Sequence, residues 1–409
     1  MQTRLSNSLL NTAEGREAEA ILRKCVHCGF CTATCPTYQL FGDELDGPRG
    51  RIYLIKEMLE GAPATRRTQI HLDRCLTCRA CESTCPSGVR YGRLLDIGRS
   101  RIERTVARPL RERLIRAALL AVVPYRRRFT ALLALGRPIL SRMPRPIVPR
   151  RPRIVEDWPV VRHARRMLIL EGCVQPPVAP EINVAAARIL DRLGISVIRI
   201  DNGCCGALAQ HLSAEEQALI HMRRSIDAWW PEIERGVEAL VVTASGCGAM
   251  IGDYARLLQN DQAYASKAAR VAGLFRDVSE IIAAELAKPD APTDWRPPLA
   301  ARRRVAFHSP CTLHNALKIR GVVESILARA GFVLTPVADS HLCCGSAGSY
   351  SVLQPTIARR LKRNKLAALQ AGAPDLIATA NIGCLMHLAS GADRPVRHWI
   401  ELLAENLPI

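Results

Sequence analysis

No run of about 18 apolar residues occurs in this sequence, so a membrane-spanning helix is not expected. The first twenty residues are polar and charged and lack the apolar core of a secretory signal. No glycine-rich dinucleotide fingerprint follows a strand-like run, and no G-x-x-x-x-G-K-[ST] phosphate loop is present. Nothing in the chain has the pattern of a Ser or Cys hydrolase triad. Hydride chemistry needs a flavin or nicotinamide, and the chain offers a site for neither. These absences leave a protein of the cytoplasm that relies on a partner for any substrate chemistry. Residues 99–153 also contain no lysine and only two acids, Glu103 and Glu112.

What is abundant is cysteine: sixteen in 409 residues. In a reducing compartment, clustered cysteines point to metal rather than disulfides. A chain this long predicts two or three domains. The net charge is +19, and residues 99–153 supply +14 of it through sixteen arginines. That stretch also holds seven prolines, with short apolar pieces at 114–123 and 129–135 around Arg126, Arg127 and Arg128. Pieces this short suit helices lying in a membrane interface; a solvated arginine-rich linker clamping an acidic partner subunit is the alternative. With only Tyr125 and Phe129 as aromatics and no recognisable binding fold, nucleic acid is not an expected partner.

The first two cysteine runs are Cys25-Val-His-Cys28-Gly-Phe-Cys31-Thr-Ala-Thr-Cys35-Pro36 and Cys75-Leu-Thr-Cys78-Arg-Ala-Cys81-Glu-Ser-Thr-Cys85-Pro86. Both fit C-x2-C-x2-C-x3-C-P, the spacing of bacterial two-cluster ferredoxins, where the fourth cysteine of one run ligates the other cluster. Three close thiolates wrap one face of a cubane, and the proline then turns the chain away. The spacing therefore predicts two 4Fe–4S clusters. Cys25, Cys28, Cys31 and Cys85 are expected at the first, and Cys75, Cys78, Cys81 and Cys35 at the second. Zinc sites pair two C-x2-C hooks, four thiolates to an ion, and fit this pattern less well. His27 stands between ligands and is expected at the surface, outside the coordination.

The remaining eight cysteines fall in an internal repeat. One copy carries Cys173, Cys204, Cys205 and Cys247, the other Cys311, Cys343, Cys344 and Cys384. Counterparts lie 138, 139 and 137 residues apart, a register that marks duplication. Apolar runs such as 195–200 and 332–337 alternate with helical stretches near 183–193 and 322–330, which argues for parallel α/β units. Each landmark cysteine follows a strand-like run, at the binding edge of such a sheet. Buried unreactive cysteines are the alternative, but eight in symmetric positions argue against it.

This pattern resembles the cysteine-rich CCG domain of heterodisulfide reductases and of several membrane-associated dehydrogenases. The full CCG motif ends in C-x-x-C; here Met250 and His387 stand in place of the last cysteine. A conventional cluster, a thiol redox site and a partly filled site all remain open for these repeats. The order of modules, with Asp43-Glu-Leu-Asp-Gly-Pro-Arg-Gly-Arg-Ile-Tyr-Leu-Ile-Lys56, Tyr91-Gly-Arg-Leu-Leu-Asp-Ile-Gly98 and Ser340-His-Leu-Cys-Cys-Gly-Ser-Ala-Gly348, resembles the iron–sulfur subunits of bacterial glycolate oxidase. The resemblance implies an electron-transfer component of a complex oxidising glycolate, and D-lactate too. FAD would sit on partner subunits, and electrons would leave towards the membrane quinone pool from the cytoplasmic face of the inner membrane. A disulfide or quinone reductase subunit, and the iron–sulfur subunit of a lactate or glycerol-3-phosphate dehydrogenase, are the alternatives.

The expected fold is α+β and multi-domain. A mostly helical ferredoxin-like module spans 1–98, and an Arg/Pro-rich amphipathic linker spans 99–165. Two pseudo-symmetric parallel-sheet CCG repeats follow at 166–290 and 303–409.

Overall fold

The computed structural model describes residues 1–140, 157–290 and 303–405. Part of the expected linker, 141–156, lies outside the described residues.

The N-terminal module is helical. Helix Ala13–Lys24 starts where the Thr12 side chain accepts from the Gly15 N–H. It buries Ala18, Ile21 and Leu22, one apolar stripe at helical spacing. The stripe packs on helix Tyr91–Thr105, which also crosses helix Pro48–Leu59. At that crossing a Cβ on Gly98 would come within 2.7 Å of Ile55 Cγ1, so only glycine lets the helices meet. Helix Tyr91–Thr105 runs straight through the expected boundary at 98. Its Leu94, Leu95 and Ile102 all belong to the N-terminal core, so the module ends later than the change in composition suggests.

Both cysteine runs coil in the same way. Left-handed backbone occurs at His27 (φ 56°) and Gly29 (φ 86°) in the first, and at Thr77 (φ 54°) and Arg79 (φ 56°) in the second. Short helices Phe30–Ala33 and Ala80–Ser83 follow. A non-glycine residue in this region costs about 1–2 kcal/mol. Arg79 is held there by an ion pair to Asp253, which also ties the module to the first repeat.

The described part of the arginine-rich segment is helical. It forms helices Leu110–Val122 and Arg126–Leu140, with Leu120, Phe129 and Leu133 packed against the repeats. Much of its charge is used internally. Arg108 pairs with Asp73, Glu103 and Glu112. Arg116 donates to the Leu212 carbonyl, and Arg126 pairs with Glu171. Arg128 lies 4.4 Å from the Tyr125 ring centroid. Arg126 and Arg128 thus reach back to their own chain, while Arg127 is exposed.

Each repeat carries a four-stranded parallel sheet. The first comprises β1 (Arg165–Leu170), β2 (Ile195–Ile200), β3 (Leu240–Val242) and β4 (Phe275–Asp277), ordered β2-β1-β3-β4. The second comprises β5 (Arg304–His308), β6 (Val333–Leu334), β7 (Leu376–Thr379) and β8 (Val396–His398), ordered β6-β5-β7-β8. The strands are short apolar runs flanked by helices, the pattern of sheets covered on both faces. One hydrophobic core spans both repeats, including Ile169 and Val241 from one and Phe307, Ile377 and Trp399 from the other. His398 Nε2 meets the Thr243 carbonyl at 2.9 Å, and the Gly246 N–H donates to Asn381 Oδ1 at 3.1 Å across the junction. Replacing the fully buried Trp399 by Ala should therefore cost about 3–5 kcal/mol in denaturant unfolding. A loss below about 1 kcal/mol would show that the shared core does not hold the repeats together.

Candidate metal centres

The two N-terminal runs contribute jointly to two adjoining cavities. Cys25, Cys28, Cys31 and Cys85 line one, with Cys81 at its edge. Cys35, Cys75, Cys78 and Cys81 line the other. The fourth cysteine of each run thus sits among the first three of its counterpart, and Cys81 and Tyr91 border both spaces. None of the sixteen cysteines is in a disulfide. Burial first, then neighbouring thiols, pushes the Cys31 thiol up to about 11 and the Cys78 and Cys81 thiols well above their ordinary value. Thiols packed this closely become thiolate ligands beside a cation, which is the donor set an iron–sulfur cluster takes.

The two surroundings differ. The first cavity is close to solvent: Cys28 is exposed, and Val26 and Phe30 beside it are 67% and 62% exposed. His27 lies at that surface with Nε2 3.3 Å from Met1 Sδ. The second cavity is deep and has two buried guanidinium groups beside it. Arg51, 1% exposed, donates to the His71 carbonyl and Thr37 Oγ1 and pairs with Asp46. Arg99 donates to the carbonyls of Leu72 and Cys75. Positive charge here favours the reduced, more negative state of a cluster. Asp46 also accepts from Arg74 and bonds His71 Nδ1, so that histidine-carboxylate group is a closed ion network. Sequence reasoning missed Arg51 and Arg99. Their only signal was arginine within otherwise apolar helical stripes.

The repeats bring their cysteines together at the carboxyl ends of the strands. Cys173 and Cys204 Sγ stand 3.6 Å apart, and Cys311 and Cys343 Sγ 3.7 Å apart. Cys205 contacts both Cys204 and Cys247, and Cys344 contacts both Cys343 and Cys384. Each Cys-Cys pair ends at a glycine with φ near 90°, Gly206 and Gly345, whose N–H donates to the first sulfur of the pair at 3.4 Å. A Cβ at Gly345 would lie 2.8 Å from the Ala358 carbonyl oxygen. The glycine therefore serves the approach of a helix as well as the approach to sulfur. Met250 is buried in one core with Cys205 and Leu170. His387 lies against the backbone of Ala358 and Cys344, and burial holds its imidazole down at about 4.

The second cavity adjoins the second repeat. Leu76 and Cys78 pack with Cys311, Cys343 and Tyr350. Asn315 Nδ2 donates to the Cys78 carbonyl at 3.1 Å, and Tyr350 Oη to the Arg74 carbonyl at 2.9 Å.

Residues 21–89 match the 4Fe-4S dicluster domain, and residues 167–252 and 305–389 each match the cysteine-rich domain. The chain is 53% identical to the glycolate oxidase iron-sulfur subunit of Escherichia coli (strain K12), with 100% of this chain and 99% of that protein covered. It belongs to the family of glycolate oxidase iron–sulfur subunits. A probable glycolate oxidase iron-sulfur subunit of Bacillus subtilis is 30% identical, with 94% and 92% covered. Lactate utilization protein A of Bacillus licheniformis is 25% identical over 54% of this chain and 90% of its own length. Membership makes the chain an oxidoreductase component whose dicluster domain carries two 4Fe–4S clusters.

The interleaved cavities generate a prediction. Cys85→Ser should disturb the cluster held by Cys25, Cys28 and Cys31, and Cys35→Ser the one held by Cys75, Cys78 and Cys81. EPR of the reduced protein distinguishes them, since only one signal should change in each variant. Each substitution changing the signal of its own run would refute crossed ligation.

Proposed function

We propose that this chain is the electron-transfer subunit of a membrane-associated glycolate dehydrogenase complex, and that D-lactate is a second substrate of the complex. Substrate oxidation takes place on a partner carrying FAD, which receives two electrons from the hydroxy acid. The electrons then leave singly through this chain towards quinone. Cys25, Cys28, Cys31 and Cys85 hold one 4Fe–4S cluster, and Cys75, Cys78, Cys81 and Cys35 hold the other.

The observation that carries this reading is the contiguous order of the thiol sets. The first cavity opens at the surface, it shares Cys81 and Tyr91 with the second, and the second abuts Cys311 and Cys343. Electrons therefore enter at the exposed cluster. The apolar pair Val26 and Phe30 beside it is the docking surface for the flavoprotein. Phe30→Ser should lower glycolate-dependent dye reduction by the reconstituted complex at least several-fold and leave the visible spectrum of this chain unchanged. An unaltered rate at limiting flavoprotein would remove this face from the entry path.

The membrane contact falls on the helices of the arginine-rich segment. Among the described residues no helix is long and apolar enough to cross a membrane. Leu110, Leu114, Leu132 and Leu135 are 55–78% exposed, and Arg111, Arg113 and Arg127 are exposed beside them. Leucine flanked by arginine suits the interface of an anionic bilayer, at the cytoplasmic face of the inner membrane. The double change Leu114→Gln, Leu135→Gln should release the chain from anionic vesicles, each leucine contributing about 1.5–3 kcal/mol when buried. Equal sedimentation of variant and parent with vesicles would overturn the assignment.

A disulfide reductase role for the cysteine-rich repeats is the second reading, favoured by the approach of Cys173 to Cys204 at 3.6 Å and of Cys311 to Cys343 at 3.7 Å. Disulfide reduction by this chain without a flavoprotein would support it.

A further inference from the structure

The two repeats share a backbone plan but not a donor set. Three residues before the first cysteine, β1 ends in Leu170 and β5 ends in His308. His308 is 2% exposed at the end of a strand buried between its neighbours. The register of β5 on β7 sets it opposite Thr379, and its Nδ1 lies 3.0 Å from Thr379 Oγ1. Its other nitrogen, Nε2, is buried without a hydrogen-bond partner. An unpaired buried polar atom costs about 1–3 kcal/mol; among the described residues His221 Nε2 and His387 Nε2 share this condition, and what sets His308 apart is the sulfurs beside it.

The ring stands beside sulfur. A ring nitrogen of His308 and the sulfurs of Cys344 and Cys384 all lie within 4.8 Å of one another. With metal–ligand bonds of about 2.0–2.3 Å, such atoms can share a metal or neighbouring irons of one cluster. Cys343 contacts Cys344, and Cys311 lies 3.7 Å from Cys343, so the donor set extends to four thiols and an imidazole. That exceeds the four ligands of a structural zinc ion. The tautomer in which Nδ1–H donates to Thr379 Oγ1 leaves the lone pair on Nε2, the arrangement of a metal-bound histidine. In the first repeat the corresponding space is closed by Leu170 and Met250, which pack with Cys205.

We propose that the second repeat holds a further iron–sulfur centre to which His308 supplies a nitrogen ligand through Nε2, and that the first repeat has no such nitrogen. This deepens the electron-transfer reading and rests on it. A neutral imidazole in place of a thiolate leaves the centre less negative and raises its potential relative to an all-thiolate one. Packed against Cys78, the centre is placed to exchange electrons with the second cluster. The ligand is not the residue that the motif pointed to. His387 stands where the last cysteine is missing and its Nε2 is also buried without a partner among the described residues, but its ring lies against the backbone of Ala358 and Cys344, outside the group formed by His308, Cys344 and Cys384.

The test uses the full chain in its complex, labelled with 15N-histidine and examined by pulsed EPR and by iron and zinc analysis. The expected result is iron beyond that of the two dicluster-domain clusters, and a third signal with strong histidine nitrogen coupling. His308→Ala should abolish that coupling, His308→Cys should restore the iron without it, and His387→Ala should retain it. Iron for two clusters only, zinc in the second repeat, a third signal without nitrogen coupling, or coupling lost with His387 and kept without His308 would each overturn the proposal. The signals of the two N-terminal clusters are read in the same samples. Their absence would instead count against the electron-transfer reading itself.

Discussion

Neither cysteine run lines its cavity by itself. Each set of three thiols is completed by a fourth from the other run, some fifty residues away in sequence. Eight thiols line two adjoining spaces, and a cation in each would favour their thiolate form. The rest of the structure is arranged around that crossing. Helix Tyr91–Thr105 brings Tyr91 between the cavities and carries Arg99 to the Cys75 carbonyl. Arg79, held in a left-handed conformation within the second run, reaches out to Asp253 in the first repeat. Asn315 of the second repeat grips the Cys78 carbonyl. The cluster module is therefore fixed to both repeats through the loop that wraps its deeper cluster.

The repeats show how a duplicated scaffold acquires unequal chemistry. Strand order, the glycine after the paired cysteines and the approach of the first two sulfurs are the same in both copies. The residues at the strand end and at the place of the missing last cysteine differ, Leu170 and Met250 in one copy and His308 and His387 in the other. A shared core and the contacts of His398 and Asn381 lock the copies into one body. The fold is duplicated while the function lives in a few side chains.

Much of this was legible in the sequence because cysteine spacing is a short-range signal. C-x2-C-x2-C-x3-C-P encodes the wrap of a loop around a cluster, and the 137–139-residue register of the other eight encodes the duplication. The strand read at 195–200 is β2, and the helix read at 322–330 is Val322–Arg329. What escaped depends on contacts distant in sequence. Arg99 opens the arginine-rich stretch and reads there as one more surface charge, yet it is buried against Leu72 and Cys75. Arg126 reads as a docking residue, yet Glu171 neutralises it. His308 gains its meaning from the register of β5 on β7 and from sulfurs 36 and 76 residues away. No local pattern announces that arrangement.

On the proposed reading, electrons from the hydroxy acid pass through the clusters of this chain. Rapid mixing of glycolate with the intact complex, followed through the visible absorbance of the iron–sulfur clusters, is the decisive measurement. This absorbance should bleach after flavin reduction and no more slowly than turnover, and should return when a quinone is added. Clusters that bleach only with a chemical reductant, while glycolate still reduces the flavin and quinone is still consumed, would contradict it.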